Sequence, residues 1–137
     1  MGTRSVFDFF VAPYPGQEGD EAQAYIYRHW DGSPESVVPR LLNYWREAIN
    51  RLAADPFPDP RVPQVSAGQV IMGLMLADIM QQNRLINQAP LDVEYTYRFR
   101  QNKADPRSLT LKIEHTLKGG KELFHGGYDA LQKWQNE

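Results

Sequence analysis

Between residues 93 and 100 every second side chain is apolar. Val93, Tyr95, Tyr97 and Phe99 alternate with Glu94, Thr96, Arg98 and Arg100. Leu109, Leu111, Ile113, His115 and Leu117 repeat the pattern against Thr110, Lys112, Glu114 and Thr116. Successive side chains of a strand point to opposite faces, so this period calls for a sheet with one face buried and one in water. Residues 102–107 supply the turn between the two strands. Gly119-Gly120 suits a two-residue hairpin into a further strand over 121–125. After Gly126-Gly127, residues 128–134 read as a short terminal helix. The last third of the chain is therefore expected to be a β-meander.

Two more β-rich stretches open the chain. Residues 6–12 are aromatic and end at Pro13, Pro15 and Gly16, and residues 22–30 are rich in Tyr, Ile and Trp, which favour a pleated, half-buried surface. A polar, acidic loop over 17–21 joins them, and they are expected to pair antiparallel. Asp31-Gly32 then makes a turn, with Gly32 expected at positive φ and Ser33 as N-cap. Pro34 sits where a missing N–H costs little, whereas Pro39 falls where a regular helix needs a donor. The main helix is thus expected to start near Pro39 and end near Ala54. Its stripe of Val38, Leu41, Leu42, Trp45, Ile49 and Leu52 lies opposite Arg40, Asn43, Glu47, Asn50 and Arg51.

Pro56, Pro58, Pro60 and Pro63 make residues 55–63 a stiff, extended connector between two helices. Ser66 caps the second helix, expected to run to about Asn87. Between Val70 and Met80 it is apolar nearly all round, which places it at the centre of a core or in an interface. The fold class is accordingly α+β, one domain over 1–137. It comprises an antiparallel sheet of four to five strands with two main helices on one face, in the order β-β-α-α-β-β-β plus a short C-terminal helix.

The 137 residues suffice to bury a core, and 42% hydrophobic with 23% charged residues argues against wholesale disorder. Residues 1–64 carry 6 basic and 9 acidic side chains and residues 65–137 carry 9 and 8, so neither half is a polycation and no nucleic-acid partner is expected. The chain has no cysteine, which removes disulfides, thiolate zinc sites and thiol nucleophiles and fits a reducing cytoplasm. No signal peptide or myristoylation signal is evident at the N-terminus. The longest near-apolar run, residues 70–80, is too short to span a bilayer, so no membrane partner is expected.

Chemistry concentrates in Tyr25-Ile26-Tyr27-Arg28-His29-Trp30-Asp31-Gly32-Ser33-Pro34. Strand alternation would put Tyr25, Tyr27, His29 and Asp31 on one face and Ile26, Arg28 and Trp30 on the other. A His29–Asp31 pair would orient the ring and raise its pKa, as a general base requires. The structural alternative is that Asp31 makes an Asx-turn, His29 bonds backbone and Trp30 fills core. Asp78, a carboxylate inside the apolar run, requires a partner such as Arg28 or Arg84, or a pocket to line. Candidate ligand-binding residues are therefore Tyr27, Arg28, His29, Trp30, Asp31, Asp78 and Arg98.

The Tyr-x-Tyr-Arg-His-Trp-Asp-Gly-Ser-Pro-Glu run of residues 25–35, followed by Pro39-Arg40-Leu41-Leu42, resembles the signature of a family of small uncharacterised bacterial and phage proteins. Their motif reads Tyr-Arg-His-Trp-Asp-Gly-Tyr-Pro-Glu, and an acidic-aromatic strand like Asp92-Val93-Glu94-Tyr95 follows their second helix. The resemblance spans roughly residues 22–100 as ordered blocks, and Ser33 stands where the family has Tyr. It implies a family and no activity.

No cofactor signature is present. His29, His115 and His125 lie on three different expected strands without the paired spacing of zinc sites, so no metal site is expected. His125-Gly126-Gly127 lacks the Gly-x-Ser-x-Gly elbow of a lipase, and Gly16-Gln17-Glu18-Gly19 is too acidic to cradle phosphate. Two functions remain. One is a non-enzymatic module that binds a protein or small molecule through the exposed sheet face and the His29–Asp31 corner. The other is a small hydrolase or transferase with His29 as base, Asp31 as orienter and Arg28 or Arg98 as anion clamp. Self-association is also expected, because the 66–87 helix is too apolar for a small two-layer domain to cover.

Overall fold

A computed structural model describes residues 3–11, 22–53, 66–88, 92–102 and 105–137. The 55–63 connector and the 17–21 loop lie outside the described residues, as does part of the 102–107 turn. The strands are β1 (Ser5–Val11), β2 (Ala22–Arg28), β3 (Arg84–Ile86), β4 (Tyr95–Asn102), β5 (Asp105–His115) and β6 (Lys121–Gly126). The helices are α1 (Pro34–Ala53), α2 (Ala67–Ala77) and α3 (Tyr128–Gln135), with short 3-10 turns at Ile79–Gln81 and Thr116–Lys118. The class is α+β.

The sheet has six strands in the order β3-β2-β1-β4-β5-β6. The two alternating segments pair antiparallel as β4 and β5, with Tyr97 opposite Ile113 and Phe99 opposite Leu111. β1 and β2 also pair antiparallel, Phe7 opposite Ile26. The expectation of a wholly antiparallel sheet is corrected by β1 and β4, which run parallel, Phe7 beside Tyr97 and Phe9 beside Phe99. Parallel neighbours need a long connection. Between β1 and β4 the chain first returns along β2 to the start of β1. It then supplies both main helices and β3 before entering β4.

The expectation of a helix to about Asn87 is also corrected. α2 stops at Ala77, and Asp78 leaves the helical region with φ −82° and ψ 84°. Gln82 then takes a left-handed φ of 55°, and β3 lies antiparallel along β2 with Leu85 opposite Ile26. That edge strand is the one absent from the sequence reading. The start was read correctly: Ser66 Oγ accepts from the Gln69 backbone N–H while the Gln69 side chain accepts from the Ser66 N–H, a complete capping box.

α2 is apolar around its circumference but buried along one stripe, Ala67, Gly68, Ile71 and Met75, with Leu76 and Gly73 exposed. α1 is continuous from Pro34 through Pro39, rather than starting near Pro39. The proline removes one hydrogen bond, to the Glu35 carbonyl, on a face where Glu35 and Pro39 are both exposed and water can reach that oxygen. Its buried stripe is Val37, Val38, Leu41, Leu42, Trp45 and Ala48.

The core lies between the helices and one sheet face. Phe7 stacks on Tyr97 at 4.8 Å between ring centroids and Phe9 on Phe99 at 4.7 Å, while Trp45 of α1 meets Phe99 edge-on at 5.8 Å. These pairs follow from the parallel register. α3 seals the far end, burying Leu131 and setting Trp134 beside Phe124. Among the described residues no helix is long and apolar enough to cross a membrane.

Candidate functional site

The Tyr25–Asp31 motif straddles the end of β2. Tyr27 sits in register between Val6 of β1 and Arg84 of β3. Because Tyr27 is the strand neighbour of Ile26, which is buried in the core opposite Phe7, Tyr27 belongs to the other sheet face. The strand ends at Arg28, so the alternation expected to carry His29 and Asp31 onto one face does not extend that far. His29 Nδ1 instead lies 2.8 Å from the Tyr27 phenol oxygen. Trp30 is 51% exposed, against the alternative that it fills core, and meets the His29 ring edge-on at 4.7 Å.

Tyr27, His29 and Trp30 join Gln82 and Arg84 around a cleft of about 280 Å³ at the β2–β3 edge. The cleft combines an exposed indole, an oriented imidazole, an amide and a guanidinium. That set can hold a flat group by stacking and an anionic one by charge.

The other candidate residues lie elsewhere. Asp31 is exposed, at φ 53°, and the expected His29–Asp31 pair is replaced by His29–Tyr27. Arg28 points into the core side of the sheet, 6% exposed, with Nε donating to the Trp30 carbonyl at 2.7 Å. Burial, and then the neighbouring Arg40 charge, lower its pKa, partly offset by Asp31. Asp78 finds a phenol as its hydrogen-bond partner rather than Arg28 or Arg84: Tyr44 Oη of α1 donates to its carboxylate at 2.6 Å. Burial and that bond push the Tyr44 pKa up to about 12.

Arg98 lies on the face away from the helices, bonded to Asp8 at 3.2 Å and close to Glu114 at 3.4 Å. Asp8 is nearly fully buried and also accepts from the Gln23 amide at 2.8 Å. Lys112 extends the network to Glu114 at 3.2 Å. Arg98 is thus held within an ion network on β4, separated from β2 by β1.

The structure therefore gathers Tyr27, His29 and Trp30 and disperses Arg28, Asp31, Asp78 and Arg98. Gln82 and Arg84 were missed because residues 66–87 read as one helix. The signal was present in Gln81-Gln82-Asn83-Arg84, four polar residues directly after the apolar run. The histidines occupy separate places: His115 stacks on Tyr95 at 4.6 Å, and His125 is exposed on β6. Among the described residues no three His, Asp or Glu side chains gather as a metal site. Comparison with family models, curated proteins and solved structures gives no match.

Proposed function

We propose that this protein is a non-enzymatic binding module whose ligand occupies the Tyr27–His29–Trp30–Gln82–Arg84 cleft. The carrying observation is the half-exposed Trp30 beside Arg84 in a concavity of about 280 Å³. An indole left in water loses the stabilisation of burial, and a stacking partner restores it. The volume is just below the usual range for small-molecule pockets, so the ligand is one flat group bearing a negative charge, free or at the end of a protein segment. The resemblance of residues 25–35 to the small bacterial and phage family adds no activity, so the reading rests on geometry.

The hydrolase or transferase alternative is disfavoured because Tyr27, not Asp31, contacts the imidazole. Titration with benzoate and indole-3-acetate, followed by backbone and indole NMR shifts, tests the module. Saturable shifts confined to Tyr27, His29, Trp30, Gln82 and Arg84 are expected. Scattered or absent shifts reject it. Turnover of an activated ester abolished by His29→Ala would favour the enzyme.

Self-association belongs to the same reading. Leu76, Met80 and Leu85 are exposed, Met80 by 87%, around the α2–β3 edge. Exposed apolar clusters mark interfaces. Sedimentation at micromolar concentration giving only a 15.8 kDa species would exclude it.

A further inference from the structure

Where the start of α1 meets the end of α3 there is a second concavity, which shares no residue with the Tyr27–Trp30 cleft. It is lined by Pro34, Glu35, Val38, Pro39, Trp134 and Gln135 and has a volume of about 380 Å³. That lies within the usual range for small-molecule pockets, about 300–1,000 Å³. Most of its lining is apolar. Val38 is buried, and half-buried Trp134 packs against the core, its ring 5.4 Å from that of Phe124 in β6. An indole supported from behind and open in front gives a ligand a large, rigid apolar surface.

The polar groups around this space are rich in acceptors and poor in donors. Pro34 and Pro39, two of the six lining residues, carry no N–H. Because Pro39 cannot donate, the Glu35 main-chain carbonyl lacks its helical partner on the very turn that lines the concavity. The exposed Glu35 side chain adds a carboxylate. One residue thus supplies two acceptors, one of them charged, beside the indole. Among the described residues no arginine, lysine or histidine lines the space. An anion would meet a like charge there and no cation. An ammonium group, with three donors and a positive charge, matches both Glu35 acceptors.

We propose that this concavity binds a small organic ammonium ion, a primary amine that carries an aromatic ring. The ring packs against Trp134, Val38 and the two prolines, and the ammonium donates to the Glu35 carboxylate and carbonyl. The volume holds a ring and a short chain together, so neither a bare ammonium ion nor an apolar molecule uses the whole site. The preferred charge is opposite to that of the Tyr27–Trp30 cleft, so each site can fail alone.

The test is NMR of the Trp134 indole N–H and the Gln135 side-chain NH₂ during titration with 2-phenylethylammonium chloride, ionic strength held with sodium chloride. Saturable shifts of both groups are expected, with the Trp30 indole unmoved. Phenylpropionate, of similar shape and opposite charge, leaves Trp134 in place, and 2-phenylethanol binds at least tenfold more weakly. Glu35→Gln, at an exposed position, weakens amine binding about tenfold through loss of the charge-assisted contact. Pro39→Ala returns an N–H to the Glu35 carbonyl and weakens binding severalfold. The proposal is overturned by unmoved Trp134 and Gln135 resonances, by phenylpropionate or 2-phenylethanol binding as tightly as the amine, or by unaltered affinity in Glu35→Gln.

Discussion

The phenol of Tyr97 donates a hydrogen bond to the carbonyl of Gly32, 2.7 Å away across 65 residues of sequence. It ties the middle of the sheet to the turn that ends the β2 segment. Burial holds the Tyr97 pKa far above the ordinary phenol value, so this proton stays in place. Tyr97→Phe preserves the stack on Phe7 but leaves a buried acceptor unpaired. It is expected to cost about 1–3 kcal/mol in urea unfolding. A loss below half a kcal/mol would mean that water replaces the hydroxyl.

Gly32 is required by crowding, not by its φ. A Cβ there would lie 2.6 Å from both Ser5 Oγ and the Thr3 carbonyl oxygen, to which the Gly32 N–H donates at 2.9 Å. The left-handed residue of the turn is Asp31 rather than Gly32, at φ 53°. Gly32→Ala should therefore destabilise by about 1–3 kcal/mol. Asp31→Gly should be neutral or stabilise by up to about 1 kcal/mol. Thermal unfolding of the two variants distinguishes crowding from backbone strain.

Exposed His29 offers a contrast. His29→Ala should change stability by no more than about 0.5 kcal/mol. A larger loss in the same measurement would show that its bond to Tyr27 supports the β2 edge.

Breaking the capping box at α2 tests how that helix begins. Ser66 is buried, and its hydroxyl accepts the Gln69 N–H at 3.3 Å. Ser66→Ala is expected to cost roughly 0.5–2 kcal/mol. Ser33 contributes its backbone carbonyl to the first turn of α1, and among the described residues its hydroxyl makes no such bond. Ser33→Ala should accordingly be the milder change, below the Ser66 value in chemical denaturation.

Alkaline stability should report on Tyr44. Its pKa is raised from 10 to about 12, so across that window the unfolded chain loses a proton that the folded chain retains. The unfolded state then binds fewer protons, and stability falls as pH rises from about 10 to about 12. Below about 10 the contribution is complete. Tyr44→Phe should make the decline shallower by about one proton, seen in urea midpoints taken at successive alkaline pH values. An unchanged slope would mean that the phenol titrates alike in both states.

Much of this architecture is legible in residue order, because period-2 alternation specifies faces. Tyr95, Tyr97 and Phe99 with Leu109, Leu111 and Ile113 define the core side of β4 and β5 before any coordinates. Ser66 with Gln69 marks the start of α2. Gly119 and Gly120, both at φ 73°, mark the turn into β6, but the expected two-residue hairpin is corrected. β5 ends at His115, a 3-10 turn over Thr116–Lys118 precedes the glycines, and Leu117 is exposed there instead of continuing the buried face. These are local signals, each carried by residues a few positions apart.

Neighbour relations are a different matter. Alternation says which face a side chain joins, not which strand lies beside it, so the parallel β1–β4 pair depended on where two helices returned the chain. Where α2 ends, Asp78 accepts a hydrogen bond from Tyr44, 34 residues upstream, a partner that residue order does not reveal. The pairing of β3 with β2 then brought Arg84 to Tyr27 and made a cleft from residues that the sequence keeps apart. The His29–Asp31 pair was drawn by extending a strand past Arg28. What ended the strand was the turn held by Thr3 and Tyr97 at Gly32, contacts from the chain's start and from β4. Composition and period determine what must be buried. Long-range hydrogen bonds and packing decide where each element stops, and here the candidate sites lie at those stops.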